Sequence, residues 1–168
     1  LHQFHSNKFI YIDDKYNNKR KPKADAVITN QKYLPIAVLT ADCAPILIYD
    51  SKMKMVAAIH VGWRGAYKDI IKKVVKFMIK KGCSVNNMVA AIGPCISIEN
   101  YQVKKDFIKK FINKDKKNII FFKKIKNKNY FSLNKYVQFQ LKSLNIKKID
   151  IINKDTFNAK NNFFSARR

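Results

Sequence analysis

Short runs of apolar residues predict several β-strands along the chain. In the first part of the chain, the runs that are bounded by polar or turn-forming residues are 26–29, 37–40, 46–49 and 55–59. Two later runs, 88–92 and 149–152, predict further strands, and Gly93 and Pro94 end the first of these. Because the runs are apolar throughout and do not alternate with polar residues, we expect strands that are buried on both faces.

Three other segments show the spacing of amphipathic helices. Over 65–81, apolar side chains recur at helical intervals while lysines occupy the opposite side, and Gly82 is well placed to end this helix. Residues 103–112 and 133–144 predict two more helices on the same grounds. The intervening segment 114–129 is mostly lysine and asparagine around a short apolar run at 119–122.

Both ends of the chain are expected to be irregular. Residues 1–23 are polar, and the charged, asparagine-rich part 14–23 indicates an exposed loop or a hairpin tip. The tail 158–168 is polar apart from a pair of phenylalanines. Consecutive strand pairs with interspersed helices, and no repeat or linker, predict a single α+β domain with mixed sheets over residues 1–168.

The net charge of +24 points at first to a nucleic-acid or anionic-membrane partner. Lysine, however, far outnumbers arginine, and lysine, asparagine and isoleucine share A/T-rich codons, so a biased genome accounts for the charge. Dedicated nucleic-acid binders usually rely on arginine. We therefore expect no specific nucleic-acid partner, and a basic nucleic-acid-binding module stays as the alternative from another functional class.

Cysteine content and hydropathy indicate the compartment. The chain has three cysteines, Cys43, Cys83 and Cys95, and no signal-peptide pattern, which favours a reducing compartment and hence the cytoplasm. No run of about 18 apolar residues is present, so no membrane span is expected. Because the first residue is Leu1 and not methionine, we expect the native N-terminus to be missing.

Candidate chemistry lies in three segments, 3–6, 40–45 and 60–65, which combine a reactive residue with strand-end or turn signals. A thiolate and imidazoles suit zinc, so Cys43 and His60 are candidate ligands. Their spacing matches no familiar zinc motif. Cys43 as a buried core thiol, His60 as a hydrogen-bonded structural residue, and a Cys–His nucleophile pair therefore remain open.

The turn that follows His60 has two interpretations. Gly62 and Gly65 allow a tight strand-to-helix turn, and a helix starting at Gly65 would offer its free N–H groups to a phosphate. Arg64 would add a bidentate fork for the same anion. Alternatively, Trp63 belongs to the core and Arg64 caps a neighbouring carbonyl.

Several motifs taken together resemble the YfiH-like laccase-domain family in their order and spacing. They are ADAVIT at 24–29, TADCAPILIYD at 40–50, AAIHVGWRGAYKDI at 57–70 and AAIGPCISIENYQV at 90–103. The match continues through FSLN at 131–134 and ends in FFSARR at 163–168, so it covers essentially the whole chain. The ADC and HxGWRG motifs in combination make the resemblance highly specific.

The resemblance implies a fold and a metal site. The fold is α+β, with mixed sheets flanked by helices, and is shared with cysteine-dependent toxin domains. The family's zinc ligands are the histidine of a Q-x-H segment, the cysteine of ADC and the histidine of HxGWRG. These positions are His5, Cys43 and His60 in this sequence, and they are also the catalytic candidates.

The activity implied is phosphorolysis of adenosine, inosine, guanosine and S-methyl-5'-thioadenosine, together with deamination of adenosine. Purine nucleosides and phosphate are thus the expected partners, with Arg64 and Arg167 as candidate phosphate-binding residues. Copper-dependent polyphenol oxidation and a role in peptidoglycan editing are the alternatives within the family. Copper is the less expected metal, because the chain offers one mixed Cys/His site and no histidine clusters.

The chain departs from the family pattern near its ends. Family members usually carry several dozen residues before the Q-x-H segment, and a T-G-R-like ending after F-S-x-R-R. Asp155 replaces a cysteine that is often found near the C-terminus. We therefore expect the N-terminal part of the family domain to be missing, which leaves His5 near a free chain end. An inactive remnant is a further alternative.

Overall fold

The structure is a computed structural model that describes residues 1–17 and 21–168. Its strands are β1 (Phe9–Ile12), β2 (Ala26–Thr29), β3 (Ala44–Asp50), β4 (Met55–Val61), β5 (Met88–Ile92), β6 (Gln102–Val103), β7 (Phe122–Ile125), β8 (Lys128–Phe131) and β9 (Lys148–Ile151). Its α-helices are α1 (Trp63–Tyr67), α2 (Ile70–Lys80), α3 (Lys105–Lys114) and α4 (Leu133–Ser143). Short 3₁₀ helices span Val85–Asn87, Lys116–Phe121 and Ala159–Asn161.

Two sheets organise the fold. The main sheet has six strands in the order β1-β2-β4-β3-β5-β9, with parallel pairs at its two edges and antiparallel pairs between them. The smaller, antiparallel sheet has the order β6-β8-β7. Helix α2 packs against β2 and β4, and α4 packs against β3 and β5. Mixed sheets with flanking helices confirm the predicted α+β fold.

Most of the predicted strands are present. Residues 26–29 and 88–92 are β2 and β5, the runs 46–49 and 55–59 lie within β3 and β4, and 149–152 overlaps β9. The strand predicted at 37–40 is wrong. There the backbone of Leu39 exchanges two hydrogen bonds of 2.8 Å with the side chain of Gln3, so these groups have no strand partner. Strand β1 lies in a segment that was predicted to be irregular, and it pairs in parallel with β2.

Burial on both faces is correct for β2 and wrong for β3. All four residues of β2 are buried. Along β3 the side chains alternate, and Leu47 and Tyr49 are 55% and 36% exposed. Successive side chains of a strand point to opposite faces of the sheet, and the packed helices cover only the face that carries Ile46 and Ile48.

The helix predicted over 65–81 is divided into two. Helix α1 begins at Trp63, and Asp69 separates it from α2 with a left-handed backbone, φ 60°. The carboxylate of Asp69 accepts a hydrogen bond of 2.7 Å from Lys114. Gly82 ends α2 as predicted, with a φ of +96° that favours glycine.

The other helix predictions hold with small shifts at their ends. Helix α4 begins after Ser132, whose hydroxyl accepts from the amide of Lys135, and it matches the predicted segment closely. Helix α3 starts two residues later than predicted, because Val103 belongs to β6. Within 114–129 the chain forms a 3₁₀ helix and the β7–β8 hairpin. The loop predicted at 14–23 includes residues 18–20, which lie outside the described residues.

A cluster of aromatic side chains joins α3, α4 and the small sheet. Phe111 is its centre and is completely buried. Its ring centroid lies 4.8 Å from that of Phe107, 5.0 Å from Phe131 and 5.2 Å from Tyr136. Among the described residues, no helix has the length and apolar content that a bilayer span would need.

Asp155 gives an expected pH dependence of stability. Its carboxylate accepts hydrogen bonds from Ser97, Asn100 and Phe157. Burial raises the pKa of Asp155, but these hydrogen bonds outweigh it, and the pKa falls below its usual 3.8. A folded-state pKa below the unfolded value stabilises the protein above pH 3.8, and this stabilisation is lost as the pH falls through the folded pKa.

We therefore expect Asp155→Asn to lower the free energy of unfolding at pH 7 by about 1–3 kcal/mol, and by less at pH 3. Urea denaturation of both proteins at the two pH values measures this difference. Asp150→Asn is the control, because Asp150 is exposed and should show little effect at either pH. An equal loss of stability in Asp155→Asn at pH 7 and at pH 3 would contradict the assignment.

Candidate metal centre

Three chain segments meet at one end of the main sheet. Cys43 immediately precedes β3, and His60 lies near the end of β4. Antiparallel pairing sets Pro45 opposite His60, so the start of β3 lies beside the end of β4. His5 comes from the segment before β1. The sheet thus brings together residues that are 17 and 38 positions apart along the chain.

The side chains of His5, Cys43 and His60 form a cluster that could hold a metal ion. Their ligand atoms, two imidazole nitrogens and one sulfur, all lie within 4.8 Å of one another. The ring centroids of His5 and His60 are 4.9 Å apart, and the two rings meet edge to face. His60 is buried while His5 is exposed, so the cluster can be reached from solvent on the His5 side. One thiolate and two imidazoles suit zinc and leave a coordination position free.

Gly62 fits closely against two of these side chains. A Cβ at this position would lie 2.9 Å from the sulfur of Cys43 and 2.8 Å from the ring of His5. Its φ of −78° is open to any residue, so the need for glycine is steric and not the tight turn that we expected. At Gly65 a Cβ would meet the backbone oxygen of Ser6 at 2.9 Å.

The electrostatics favour a neutral Cys43 and a neutral His60 when no cation is bound. Burial raises the pKa of Cys43 to about 11, and the charges of Asp42 and Asp25 act in the same direction. Burial lowers the pKa of His60, and its hydrogen bond to Asp25 only partly opposes this. A Cys–His nucleophile pair needs a thiolate at neutral pH, so these shifts speak against that alternative.

Asp42 ties the loop of Cys43 to the C-terminal tail. Its carboxylate accepts from the hydroxyl of Thr156 at 2.7 Å, from the hydroxyl of Ser165 at 3.0 Å and from the amide of Arg167 at 2.9 Å. Asp42 was not among the functional residues predicted from the sequence. Its place beside Cys43 in the ADC motif was the available signal, but its partners lie more than 100 residues away.

A cavity of about 590 Å³ lies against the turn that follows His60. Its walls combine aromatic and cationic side chains with one carboxylate and two further residues: Trp63, Tyr101, Phe107, Lys104, Lys110, Arg167, Asp106, Gln102 and Val103. The guanidinium of Arg167 stacks over the ring of Tyr101 at 4.6 Å. Burial raises the pKa of Tyr101 above its usual value, so this phenol stays protonated at neutral pH.

The candidate phosphate-binding residues differ in their placement. Arg167 lines the cavity, and its side chain donates to the carbonyl of Gln102 at 2.9 Å. Arg64 lies over the ring of Trp63 at 4.8 Å, and Trp63 is itself a cavity wall. Each arginine thus lies over an aromatic ring that lines the cavity.

The expected helix N-terminus does not supply an anion site. The helix begins at Trp63 and not at Gly65, and α1 is only five residues long. A single short turn has few aligned peptide dipoles and a weak field at its end. Binding of an anion here would therefore depend on arginine and lysine side chains. Tyr101 and Lys110, which line the cavity, were not among the functional residues predicted from the sequence.

Two of the comparisons with known proteins match the whole chain, and a third matches about two thirds of it. A family model described as multi-copper polyphenol oxidoreductase laccase matches residues 1–168. A purine nucleoside phosphorylase of Rickettsia prowazekii (strain Madrid E) is 36% identical over 170 residues, which cover 100% of this chain and 69% of that protein. An adenosine deaminase of an unknown prokaryotic organism is 34% identical over 116 residues, covering 65% of this chain and 44% of that protein.

Solved structures show the same fold. The crystal structure of YfiH from Bacillus licheniformis superposes with a TM-score of 0.89 at 26% sequence identity. The match covers 99% of this chain and 67% of that one.

Proposed function

The chain belongs to the family described as multi-copper polyphenol oxidoreductase laccase. For this member of the family we propose that it is a zinc-dependent purine nucleoside enzyme. The proposed reactions are phosphorolysis of adenosine, inosine, guanosine or S-methyl-5'-thioadenosine to base and (methylthio)ribose 1-phosphate, and deamination of adenosine. The supporting observation is the convergence of His5, Cys43 and His60 within 4.8 Å of one another. A cavity with aromatic and cationic walls includes Trp63, three residues after His60, although none of the three candidate ligands lines it. We further propose that residues 1–168 act as one domain.

The three donor side chains favour one metal, zinc, over another, copper. His5, Cys43 and His60 would hold the ion, and zinc with a free position would supply Lewis acidity to the bound substrate. Two histidines and a cysteine also suit copper, so copper-dependent phenol oxidation is the second candidate activity. The whole sequence contains only three histidines, too few for several copper centres, and this favours zinc.

The chemistry of the cavity walls supports the proposal that a nucleoside and phosphate bind there. The rings of Trp63, Tyr101 and Phe107 provide flat apolar surface for a purine base. Arg167 and Lys110 bring positive charge for phosphate, and a guanidinium can hold two phosphate oxygens at once. In phosphorolysis the bond between base and ribose breaks, a phosphate oxygen bonds to the same ribose carbon, and the base leaves with the proton that the phosphate gives up. Side chains that hold the two reactants side by side accelerate such a step.

The test is chromatography of adenosine, inosine, guanosine and S-methyl-5'-thioadenosine after incubation with the zinc-loaded protein, with and without phosphate. We expect phosphate-dependent release of the base, and no turnover by His60→Ala. Inosine formed from adenosine would show deamination by the same centre. If zinc is bound and every purine nucleoside stays unchanged, the proposal is wrong. Oxidation of a phenol by the copper-loaded protein alone would then support the second candidate.

Arg167→Ala is expected to raise the KM for phosphate by about 10- to 100-fold, because a charge-assisted hydrogen bond of about 1.5–3 kcal/mol is lost. The KM for the nucleoside should change little. Arg168→Ala is the matched control, since that side chain bonds to the carbonyls of Phe157 and Phe163 in the tail. A similar rise in both variants would mean that Arg167 only holds the tail in place.

A further inference from the structure

We propose that Asp25 is the positioning residue of the metal centre, and that its single carboxylate orients both histidine ligands, His5 and His60. The inference rests on the proposed function insofar as that function assigns these side chains to a metal. Asp25 itself lies just before β2, whose first residue pairs with Ile59 of β4, so it sits beside His60. Asp25 is completely buried.

The contact with His60 determines which ring nitrogen is available. Oδ1 of Asp25 lies 2.8 Å from Nδ1 of His60. An ionised carboxylate only accepts hydrogen bonds, so Nδ1 of the neutral ring carries the proton and donates it. The lone pair on Nε2 is then free for a metal, as when a carboxylate orients a ligating histidine. The backbone carbonyl of Asp25 also accepts from the amide of His60 at 2.7 Å, which holds the main chain in the same place.

The same carboxylate orders the segment that carries His5. Oδ1 accepts from the amide of His5 at 3.0 Å and from that of Phe4 at 3.2 Å, while Oδ2 accepts from the amide and the hydroxyl of Ser6 at 2.7 and 2.6 Å. His5 has a left-handed backbone with φ 60°, which costs free energy in any residue other than glycine. His5 belongs to no helix or strand, so these hydrogen bonds offset the cost and fix the backbone from which its imidazole reaches Cys43 and His60.

The two effects make Asp25 a link between the ligands. Loss of its charge would release the His5 segment and at the same time remove the acceptor that fixes the ring of His60. A carboxylate that contacts only one ligand segment would affect metal affinity through that ligand alone, whereas Asp25 would affect it through both histidines. We therefore expect a large loss of zinc affinity from a change that touches no metal-binding atom.

Zinc affinity of Asp25→Asn, measured by competition with a chromophoric chelator, tests this directly. We expect it to be about 10- to 100-fold weaker than that of the wild type, the range found when such supporting partners are replaced. Asp50→Asn is the matched control. Asp50 is also completely buried and accepts from the amides of Lys52, Met53 and Ser84, but it lies at the end of β3 remote from Cys43.

The comparison of the two variants decides the proposal when both fold. Unchanged zinc affinity in Asp25→Asn would overturn it, and so would an equal loss in Asp50→Asn, because the effect would then be general destabilisation. A protein that binds zinc with this dependence on Asp25 but turns over no nucleoside would refute the proposed function and leave the role of Asp25 intact.

A measurement on the wild-type protein does not depend on whether Asp25→Asn folds. Nitrogen-15 NMR of the histidine side chains without metal reports the tautomer of His60, and the His60→Ala variant assigns its signals. We expect the proton on Nδ1 and an unprotonated Nε2. A proton on Nε2 of the neutral ring would overturn the proposal, since the carboxylate would not then be orienting the ligand.

Discussion

Cys43→Ala should leave the purified protein almost free of zinc, whereas the wild type should carry about one zinc per chain. The sulfur of Cys43 is one of three donor atoms within 4.8 Å of one another, and His5 and His60 alone would hold the ion weakly. The change removes only one partly buried atom from a side chain at the start of β3, so the fold should persist. Metal analysis after dialysis, together with a circular dichroism spectrum, measures both properties.

Cys83→Ala is the control for this experiment. Cys83 is also a free and buried cysteine, but its sulfur contacts that of Met55 at 3.7 Å, at the beginning of β4 and away from His60. The zinc content of the Cys83→Ala variant should equal that of the wild type. Equal zinc in wild type and Cys43→Ala would show that the cysteine is not a ligand, and a metal held elsewhere would have to be sought.

The second large effect is on stability. Phe111→Ala should lower the free energy of unfolding by about 3–5 kcal/mol, because it leaves a cavity where α3, α4 and the small sheet meet. Its ring packs against Phe107, Phe131 and Tyr136, and its side chain is completely buried. A loss of this size is a large share of the total stability of a typical domain. Urea denaturation monitored by circular dichroism gives the value.

Phe164→Ala is the matched control, since Phe164 is 84% exposed and should contribute less than about 0.5 kcal/mol. If both variants lose the same small amount of stability, the aromatic cluster is not the part of the core that we infer.

Phe111→Ala should also weaken nucleoside binding while zinc content is retained. The reason is that Phe107 stacks on Phe111 and also lines the cavity.

Sequence patterns succeeded where the signal was contained in one contiguous segment. Strands β2 and β5 and helix α4 follow from runs and periods that belong to a few neighbouring residues. The patterns failed where a partner lies elsewhere in the chain. Leu39 bonds to Gln3, and Asp69 bonds to Lys114 where the predicted long helix breaks. Exposure of Leu47 depends on which face of the sheet the helices cover.

For the candidate site, composition and spacing alone left Cys43 and His60 with several interpretations. The motif resemblance selected His5, Cys43 and His60, and the fold brings their donor atoms together. Family membership and the α+β fold are confirmed, while the ligand assignment stays a prediction until the metal is measured. The supporting carboxylates were not identified, since a buried aspartate has no sequence signature without its partners.

The sequence by itself thus determined the family, the fold class, and which three side chains are the candidate ligands. These follow from motif order and from local periodicity, which are properties of the linear chain. Only the tertiary structure decided that Asp25 joins the two histidine segments, that Asp42 joins the cysteine loop to the tail, and that Arg167 reaches the cavity. The reason is physical: hydrogen bonds and cavity walls depend on distances across the fold, and residues up to 125 positions apart make them.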